Sequence, residues 1–150
     1  YDVWAPLLPG AEIPDVNVWA PYVLNNKKFN SETILVGHSS GATLILSLLE
    51  RIESPIKKAI LVSGFHRYDK PSPILQSEYN WERIKGNCKK FLFLNSDNDP
   101  YQCDDIQGRE MFDKLGGIQI ILHGEGHMGS NSYNQPYKEF PLLLSLCGDF

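Results

Sequence analysis

Short apolar runs recur along the chain and alternate with longer stretches in which apolar residues follow the spacing of a helix. A continuous apolar run of four to eight residues is typical of a strand that is buried on both faces, as in a parallel sheet. The pattern predicts five such strands, at Tyr1–Ala5, Thr33–Val36, Ala59–Val62, Phe91–Leu94 and Ile118–Leu122. Strands that alternate with helices predict an α/β fold, a three-layer sandwich with a mainly parallel sheet, and 150 residues suit a single domain.

Five helices are predicted around these strands. The first begins at Pro14-Asp15, the second and third cover Gly41–Ile52 and Trp81–Lys85, the fourth opens at Asp104, and the last begins at Pro141. In the fourth helix, Asp104 and Gln107 resemble a capping box. We expect the inward-facing side chains of this helix to be Ile106, Met111, Phe112 and Leu115.

The stretch Gly-His-Ser-Ser-Gly at residues 37–41 lies between the second predicted strand and the helix after it. A strand, a sharp turn and a helix are the context in which G-x-S-x-G presents a nucleophilic serine. Gly37 and Gly41 would let the strand and the helix approach each other, and Ser39 would be the nucleophile. The Ser40 N–H, at the start of the helix, would face a developing oxyanion. The alternative is a turn of small residues without chemistry.

A serine hydroxyl is a weak nucleophile and needs a base that a third group orients. The fourth predicted strand is followed by Asp97 and Asp99, and the fifth by His123 and His127. The chain order serine, aspartate, histidine is the one that α/β-hydrolases use. We prefer Asp99, which lies farther past its strand and beside a proline, and His127, whose glycine-flanked loop can reach back to Ser39.

The remaining histidines and the metal motifs carry weaker signals. We expect His38 and His66 to be solvated side chains, although His38 could brace the turn. The residues between His123 and His127 are Gly-Glu-Gly, which is unsuited to the helix of a zinc-binding H-E-x-x-H motif. No lysine follows Gly41 as a phosphate-binding loop requires. The sequence therefore predicts neither a metal nor another cofactor.

Composition and charge narrow the class of partner. The chain is 42% hydrophobic and 21% charged, with a formal net charge of −4, so neither nucleic acid nor an anionic membrane is an expected partner. No apolar run approaches the roughly 18 residues of a membrane span. The three cysteines, Cys88, Cys103 and Cys147, are scattered, which favours reduced thiols in a cytoplasmic location.

Several motifs together resemble the small α/β-hydrolase-fold serine hydrolases typified by retinoblastoma-binding protein 9. They are Gly-His-Ser-Ser-Gly-Ala, Ser-Asp-Asn-Asp-Pro-Tyr, Gly-His-Met, Trp19-Ala20-Pro21, the segment from Trp81 to Cys88, and Glu139-Phe140-Pro141. The resemblance spans almost the whole chain. It implies a compact hydrolase fold with almost no cap, Ser39 as nucleophile, Asp99 as acid and His127 as base. It carries over no protein partner, because the family member's L-x-C-E-type motif has no counterpart here.

The chain departs from that family at its start. The family begins with an apolar strand and a glycine-rich loop that supplies a second oxyanion donor, and nothing like it precedes Tyr1. We therefore expect an N-terminally incomplete domain that lacks its first strand. The missing strand would leave a gap of about 10 Å, two strand spacings, between Tyr1–Ala5 and Thr33–Val36. The alternative is that Tyr1–Ala5 shifts and pairs with Thr33–Val36 directly. We also expect that these 150 residues do not fold stably alone.

The function predicted is acyl transfer to water, on an ester, thioester or amide of a small molecule. Expected walls of the substrate site are Phe65, Tyr68, Tyr101 and Met128, for which core or loop packing is the alternative. Phe65 and Tyr68 lie in the polar segment Gly64–Asn80, and loops of this length often cover a site. Two other functions stay open: a non-catalytic binding module on a hydrolase scaffold, and a flavodoxin-like binder of a small ligand.

Overall fold

The computed structural model describes residues 1–130 and 137–148. In chain order its elements are α1 (Val16–Asn26), β1 (Ile34–His38), α2 (Ser40–Arg51), β2 (Lys58–Val62), α3 (Trp81–Gly86), β3 (Phe91–Ser96), α4 (Asp105–Leu115), β4 (Ile118–Leu122) and α5 (Pro141–Cys147). The four strands form one sheet in the order β1-β2-β3-β4, and all neighbours are parallel. The predicted α/β architecture is confirmed. Within the described residues, no helix has the length and apolar character to cross a membrane.

The two central strands explain the apolar runs of the sequence. Every residue of β2 and β3 is buried. Alternate side chains point to opposite faces of a strand, so each face needs its own cover. On one face, β2 and β3 pack against α2, α3 and α4 through Ala59, Leu61, Phe91 and Phe93. On the other face they pack against α5 through Ile60, Val62, Leu92 and Leu94. Helices therefore lie on both faces of the sheet.

The predicted strand at Tyr1–Ala5 is wrong. Residues 1–8 have no regular secondary structure, and within the described ranges the outer edge of β1 pairs with no strand. Tyr1 is anchored through its side chain instead, since its hydroxyl donates to the carbonyl oxygen of Cys147 at 2.9 Å. The Nζ of Lys27 lies 5.6 Å from the centre of the Trp4 ring. There is consequently no pair of strands across which a 10 Å gap could be measured, and the failure of the chain to fold alone stays a prediction.

The fourth helix differs from its prediction in two details. The Asp104 carboxylate accepts hydrogen bonds from the Ile106 and Gln107 backbone N–H groups, so the N-cap is confirmed. Gln107 does not return the bond, because its side chain binds the backbone of His66 and Arg67. Ile106 is 57% exposed rather than inward-facing. Met111 and Leu115 are buried as expected, and Phe112 is partly buried against the same core.

Candidate active site

The turn between β1 and α2 holds Ser39 in a strained backbone conformation. Its φ is 55° and its ψ is −121°, outside the regions that non-glycine residues prefer. The neighbouring sheet and helix fix this geometry: the Ser39 N–H donates to the Val62 carbonyl at 2.9 Å, and the Ser39 carbonyl accepts from the Ala42 N–H at 2.9 Å. Strain of this kind costs about 1–3 kcal/mol and persists where the surroundings enforce it. The geometry is that of a nucleophile elbow.

Only one of the two elbow glycines is required by close packing. A Cβ atom on Gly37 would lie 2.4 Å from the carbonyl oxygen of Gly41, so nothing larger than glycine fits there. A Cβ atom on Gly41 would meet open space. The predicted need for a small residue is confirmed at Gly37 and wrong at Gly41, because the crowded partner of Gly37 is the Gly41 backbone.

The preferred aspartate and histidine meet in the structure. Asp99 Oδ2 and His127 Nδ1 lie 2.7 Å apart, and the two side chains are 0% and 8% exposed. The second carboxylate oxygen of Asp99 accepts the Tyr101 N–H at 2.8 Å. With both carboxylate oxygens bonded, Asp99 holds the His127 ring by Nδ1. The ring nitrogen that remains for proton transfer is Nε2.

Two aromatic rings flank His127. The His38 and Tyr101 rings each lie 4.7 Å from the His127 ring, centre to centre. His38 Nε2 donates to the His127 carbonyl oxygen at 2.7 Å. Partial desolvation of the His38 imidazole lowers its pKa. His38 is exposed, as expected of a solvated side chain. Its ring also holds the backbone of His127, whereas the alternative considered for it was to brace the turn.

A second aspartate–histidine pair joins the same two loops farther out. Asp97 Oδ2 and His123 Nδ1 lie 2.6 Å apart, and Asp97 Oδ1 accepts the Gly124 N–H at 2.9 Å. The bonds from Gly124 and His123 lower the pKa of Asp97, and Asp97 in turn raises the pKa of His123. This outer pair is exposed, with the His123 side chain 95% accessible.

Asn98 ties the two loops together between the two pairs. Its Oδ1 accepts the Gly126 N–H at 2.7 Å and the Ser96 hydroxyl at 2.7 Å. Three consecutive side chains, those of Asp97, Asn98 and Asp99, therefore bind the loop that carries His127. The sequence analysis missed Asn98 because its partner in the histidine loop, the Gly126 N–H, is a backbone group that carries no side-chain signal.

A cavity of about 420 Å³ opens at this end of the sheet. Its lining residues are His38, Ser39, Ser40, Phe65, Tyr68, Ser72, Tyr101, Cys103, His127 and Ser130. The cavity thus brings together Ser39, Ser40 and His127, with Asp99 behind the histidine. Of the expected substrate walls, Phe65, Tyr68 and Tyr101 line it. Their contact with a substrate stays a prediction.

Met128 is the exception among those predicted walls. It is 4% exposed and packs with Val62, Leu92 and Leu94 in the core beneath the sheet. Its φ of 46° turns the chain directly after His127. This turn carries the Met128 side chain into the core rather than to the cavity, so the predicted wall position is wrong.

The loop that carries Phe65 is held by side chains of two helices. The Thr43 hydroxyl donates to the Phe65 carbonyl at 2.6 Å, and the Gln107 amide binds the His66 N–H and the Arg67 carbonyl at 3.1 and 2.8 Å. Both side chains are buried. They fix one wall of the cavity. The sequence analysis missed these contacts because the bonded residues lie 22 to 41 positions apart along the chain.

An ionic contact anchors the same loop from outside. The Glu110 carboxylate accepts hydrogen bonds from Nη2 and Nε of Arg67 at 2.7 and 2.8 Å. It also contacts His66 Nε2 at 2.8 Å. These bonds, led by the one from Arg67, lower the pKa of Glu110 to about 2. His66 also packs edge-on against Trp81, so the expectation of a solvated side chain is wrong.

Cys103 lies in the cavity wall beside Asp99 and His127. Burial raises the pKa of its thiol. Three potential ligand atoms lie within 4.8 Å of one another, one each from Asp99, Cys103 and His127. All three residues are buried. A carboxylate, a thiol and an imidazole are a donor set that metal ions of borderline softness accept.

This fold is the α/β-hydrolase fold. The ydeN gene product of Bacillus subtilis has the same fold, with a TM-score of 0.81 at 19% identity over 94% of this chain and 77% of that protein. The carboxylesterase CesB (YbfK) of Bacillus subtilis gives a TM-score of 0.56 at 16% identity, over 90% of this chain and 66% of that protein.

The sequence narrows the class to a family. The family model described as serine hydrolase matches residues 10–145, and the chain belongs to this family. The chain is also similar to serine hydrolase RBBP9 of Rattus norvegicus, with 25% identity over an alignment of 134 residues, and the match covers 86% of this chain and 70% of that protein. The resemblance drawn from the motifs is confirmed.

Proposed function

We propose that this serine hydrolase cleaves an ester, thioester or amide of a small molecule through an acyl-enzyme on Ser39. One observation carries the proposal. The strained Ser39 shares a cavity with His127, and the Nδ1 of His127 is bonded to the buried carboxylate of Asp99. A nucleophile, a base and an orienting carboxylate in one site are the elements of acyl transfer.

The chemistry follows from these positions. His127 Nε2 takes the proton of the Ser39 hydroxyl as Oγ attacks the substrate carbonyl carbon. Asp99 holds the reactive tautomer and stabilises the imidazolium. The oxyanion forms beside the first turn of α2, where N–H groups have no acceptor within the helix, and the Ser40 N–H is one donor. His127 then protonates the leaving group, and water cleaves the acyl-enzyme by the same steps.

The cavity walls support a small, partly apolar acyl group. Phe65, Tyr68 and Tyr101 contribute aromatic surface next to Ser39 and His127. The volume of about 420 Å³ lies in the range of small-molecule sites. An ester is the first substrate class to test, since one protein of the same fold is named a carboxylesterase.

The three cysteines support the cytoplasmic location that we propose with this function. Cys88, Cys103 and Cys147 are all free thiols, which suits a reducing compartment. Fractionation of the source cells with an antibody to the chain would test this part of the proposal.

Hydrolysis of p-nitrophenyl esters of graded acyl length tests the activity. Ser39→Ala should lower the rate by at least about 10³-fold, because it removes the attacking oxygen. Ser40→Ala is the matched control, since it keeps the backbone N–H, and should change the rate by less than about tenfold. Equal rates for the wild type and Ser39→Ala would contradict the proposal. Ester binding without turnover would favour the non-catalytic binding module.

A further inference from the structure

We propose that Asp99, Cys103 and His127 form an inhibitory binding site for a divalent metal ion of borderline or soft character, zinc or cadmium. The ligand atoms of the three side chains lie within 4.8 Å of one another. The residues are 8%, 3% and 6% exposed, so an ion bound there is largely enclosed by protein. The inhibition rests on the proposed function, whereas the binding of the metal does not.

The donor set selects the class of ion. A thiolate and an imidazole favour zinc or cadmium over magnesium or calcium, which prefer oxygen ligands. Zinc accepts three protein ligands and one open position, at ligand distances of about 2.0–2.3 Å. The three side chains supply the protein ligands. Cys103 and His127 also line the cavity, which offers the open position.

Hydrogen bonds hold all three ligands close to their positions. The buried Asn95 side chain donates to the Cys103 carbonyl at 2.9 Å. The Tyr101 N–H donates to Asp99 at 2.8 Å, and His38 donates to the His127 carbonyl at 2.7 Å. The backbone next to each ligand is thereby held in place, and rotations of the side chains would bring their ligand atoms, which lie within 4.8 Å of one another, onto one ion.

The metal removes the catalytic base by moving one proton. Nδ1 of His127 carries the hydrogen that Asp99 accepts, and a metal bound at Nδ1 leaves the neutral ring with its hydrogen on Nε2. That nitrogen can then no longer accept the Ser39 proton. The Cys103 thiol releases its proton to solvent as the sulfur–metal bond forms, so the affinity should rise with pH.

Titration of the full-length chain with cadmium tests the binding. The readout is the ultraviolet thiolate-to-cadmium charge-transfer band. The wild type should show one equivalent of bound ion, and both Cys103→Ser and Cys103→Ala should weaken the binding at least about tenfold and remove the band. Cys88→Ser and Cys147→Ser are matched controls and should keep the band. A band that survives in both Cys103 variants, or that disappears in a control, would overturn the site.

Labelling of Ser39 by a fluorophosphonate with and without zinc tests the inhibition. Each protein is compared with its own zinc-free rate. Zinc should suppress labelling of the wild type, a chelator should restore it, and Cys103→Ser should need at least about tenfold more zinc. Equal zinc sensitivity of Cys103→Ser and the wild type would overturn the proposal. No labelling even without zinc, together with an intact cadmium band, would refute the proposed function and leave the metal site standing.

Discussion

The same two loops carry two aspartate–histidine pairs that look alike and differ in their surroundings. The inner pair, Asp99 and His127, has a contact of 2.7 Å, and the outer pair, Asp97 and His123, has one of 2.6 Å. The inner side chains are 0% and 8% exposed, whereas those of the outer pair are 36% and 95% exposed. The contact distance therefore does not distinguish the pairs, and burial does.

The other contacts of each pair explain why we expect the inner pair to serve catalysis and the outer pair to hold the loop. The inner aspartate is tied to the Tyr101 N–H in its own loop, and its histidine lines the cavity with Ser39. The outer aspartate is tied to Gly124 in the histidine loop. The inner pair can stabilise a charge away from water, where electrostatic interactions are strong. The outer pair is screened by solvent, so we assign it to holding the loop.

The largest expected effect comes from breaking the inner pair. Asp99→Asn should lower kcat by about 10⁴-fold, because the amide favours the wrong tautomer of His127. Asp97→Asn is the matched control in the outer pair and should lower kcat less than about tenfold. Steady-state kinetics with an ester substrate measures both. The reverse ranking would show that the catalytic carboxylate is Asp97.

Asn98, between the two pairs, should have an intermediate effect. Asn98→Ala removes the acceptor of the Gly126 N–H next to His127. We expect kcat to fall by up to about 10²-fold with little change in KM, the size of effect that a displacement of about 1 Å produces. Asn98→Asp keeps an acceptor oxygen and should recover most of the rate. A KM effect alone, or no recovery by Asn98→Asp, would argue against positioning.

The residues of the inner pair, Asp99 and His127, could be selected from the sequence because the features that point to them lie close by in the chain. Apolar runs defined β2 to β4, and the residues just past β3 and β4 supplied Asp99 and His127. The order of serine, aspartate and histidine along the chain then matched the order that α/β-hydrolases use. Pro100 and the glycines that flank His127 were sufficient to select the inner residues.

The parts that the sequence could not provide depend on contacts between distant residues. His38 reaches His127 across 89 positions, and His66 reaches Glu110 across 44. Met128 is an apolar residue in a loop beside the site, a pattern that predicted a position in the cavity wall. The backbone turn at its positive φ directs the side chain into the core instead. The apolar start of the chain suggested a strand at Tyr1–Ala5, but β-propensity alone does not provide a pairing edge.

A third ionic contact joins Glu110 to Arg67 and His66, and its exposure lies between that of the inner and the outer pair. The pKa of Glu110 is lowered, so its contribution to stability is present above about pH 4.5 and is lost as the pH falls toward 2. Glu110→Gln should cost about 1 kcal/mol at pH 7, an amount reduced by solvent screening. Urea unfolding at pH 7 and pH 3 measures this, and a difference between wild type and variant that does not shrink in acid would contradict it.

The smallest effect should come from the outer pair itself. The raised pKa of His123 means that its contribution is present below about pH 6.5 and is lost as the pH rises through its pKa in the folded chain. The lowered pKa of Asp97 has the opposite sign, with its contribution lost in acid. His123→Ala should therefore lower the melting temperature slightly at pH 5.5 and less at pH 8. A larger loss at pH 8 would contradict this sign.

The rate of fluorophosphonate labelling at Ser39 tests the central claim most directly, because it reports the nucleophile and its base without a known substrate. Adducts are mapped by mass spectrometry in the wild type, Asp99→Asn, Asp97→Asn and Ser39→Ala. We predict an adduct on Ser39 that forms quickly in the wild type and Asp97→Asn, far more slowly in Asp99→Asn, and not at all in Ser39→Ala. An adduct on Ser40, or equal rates in the two aspartate variants, would contradict the account.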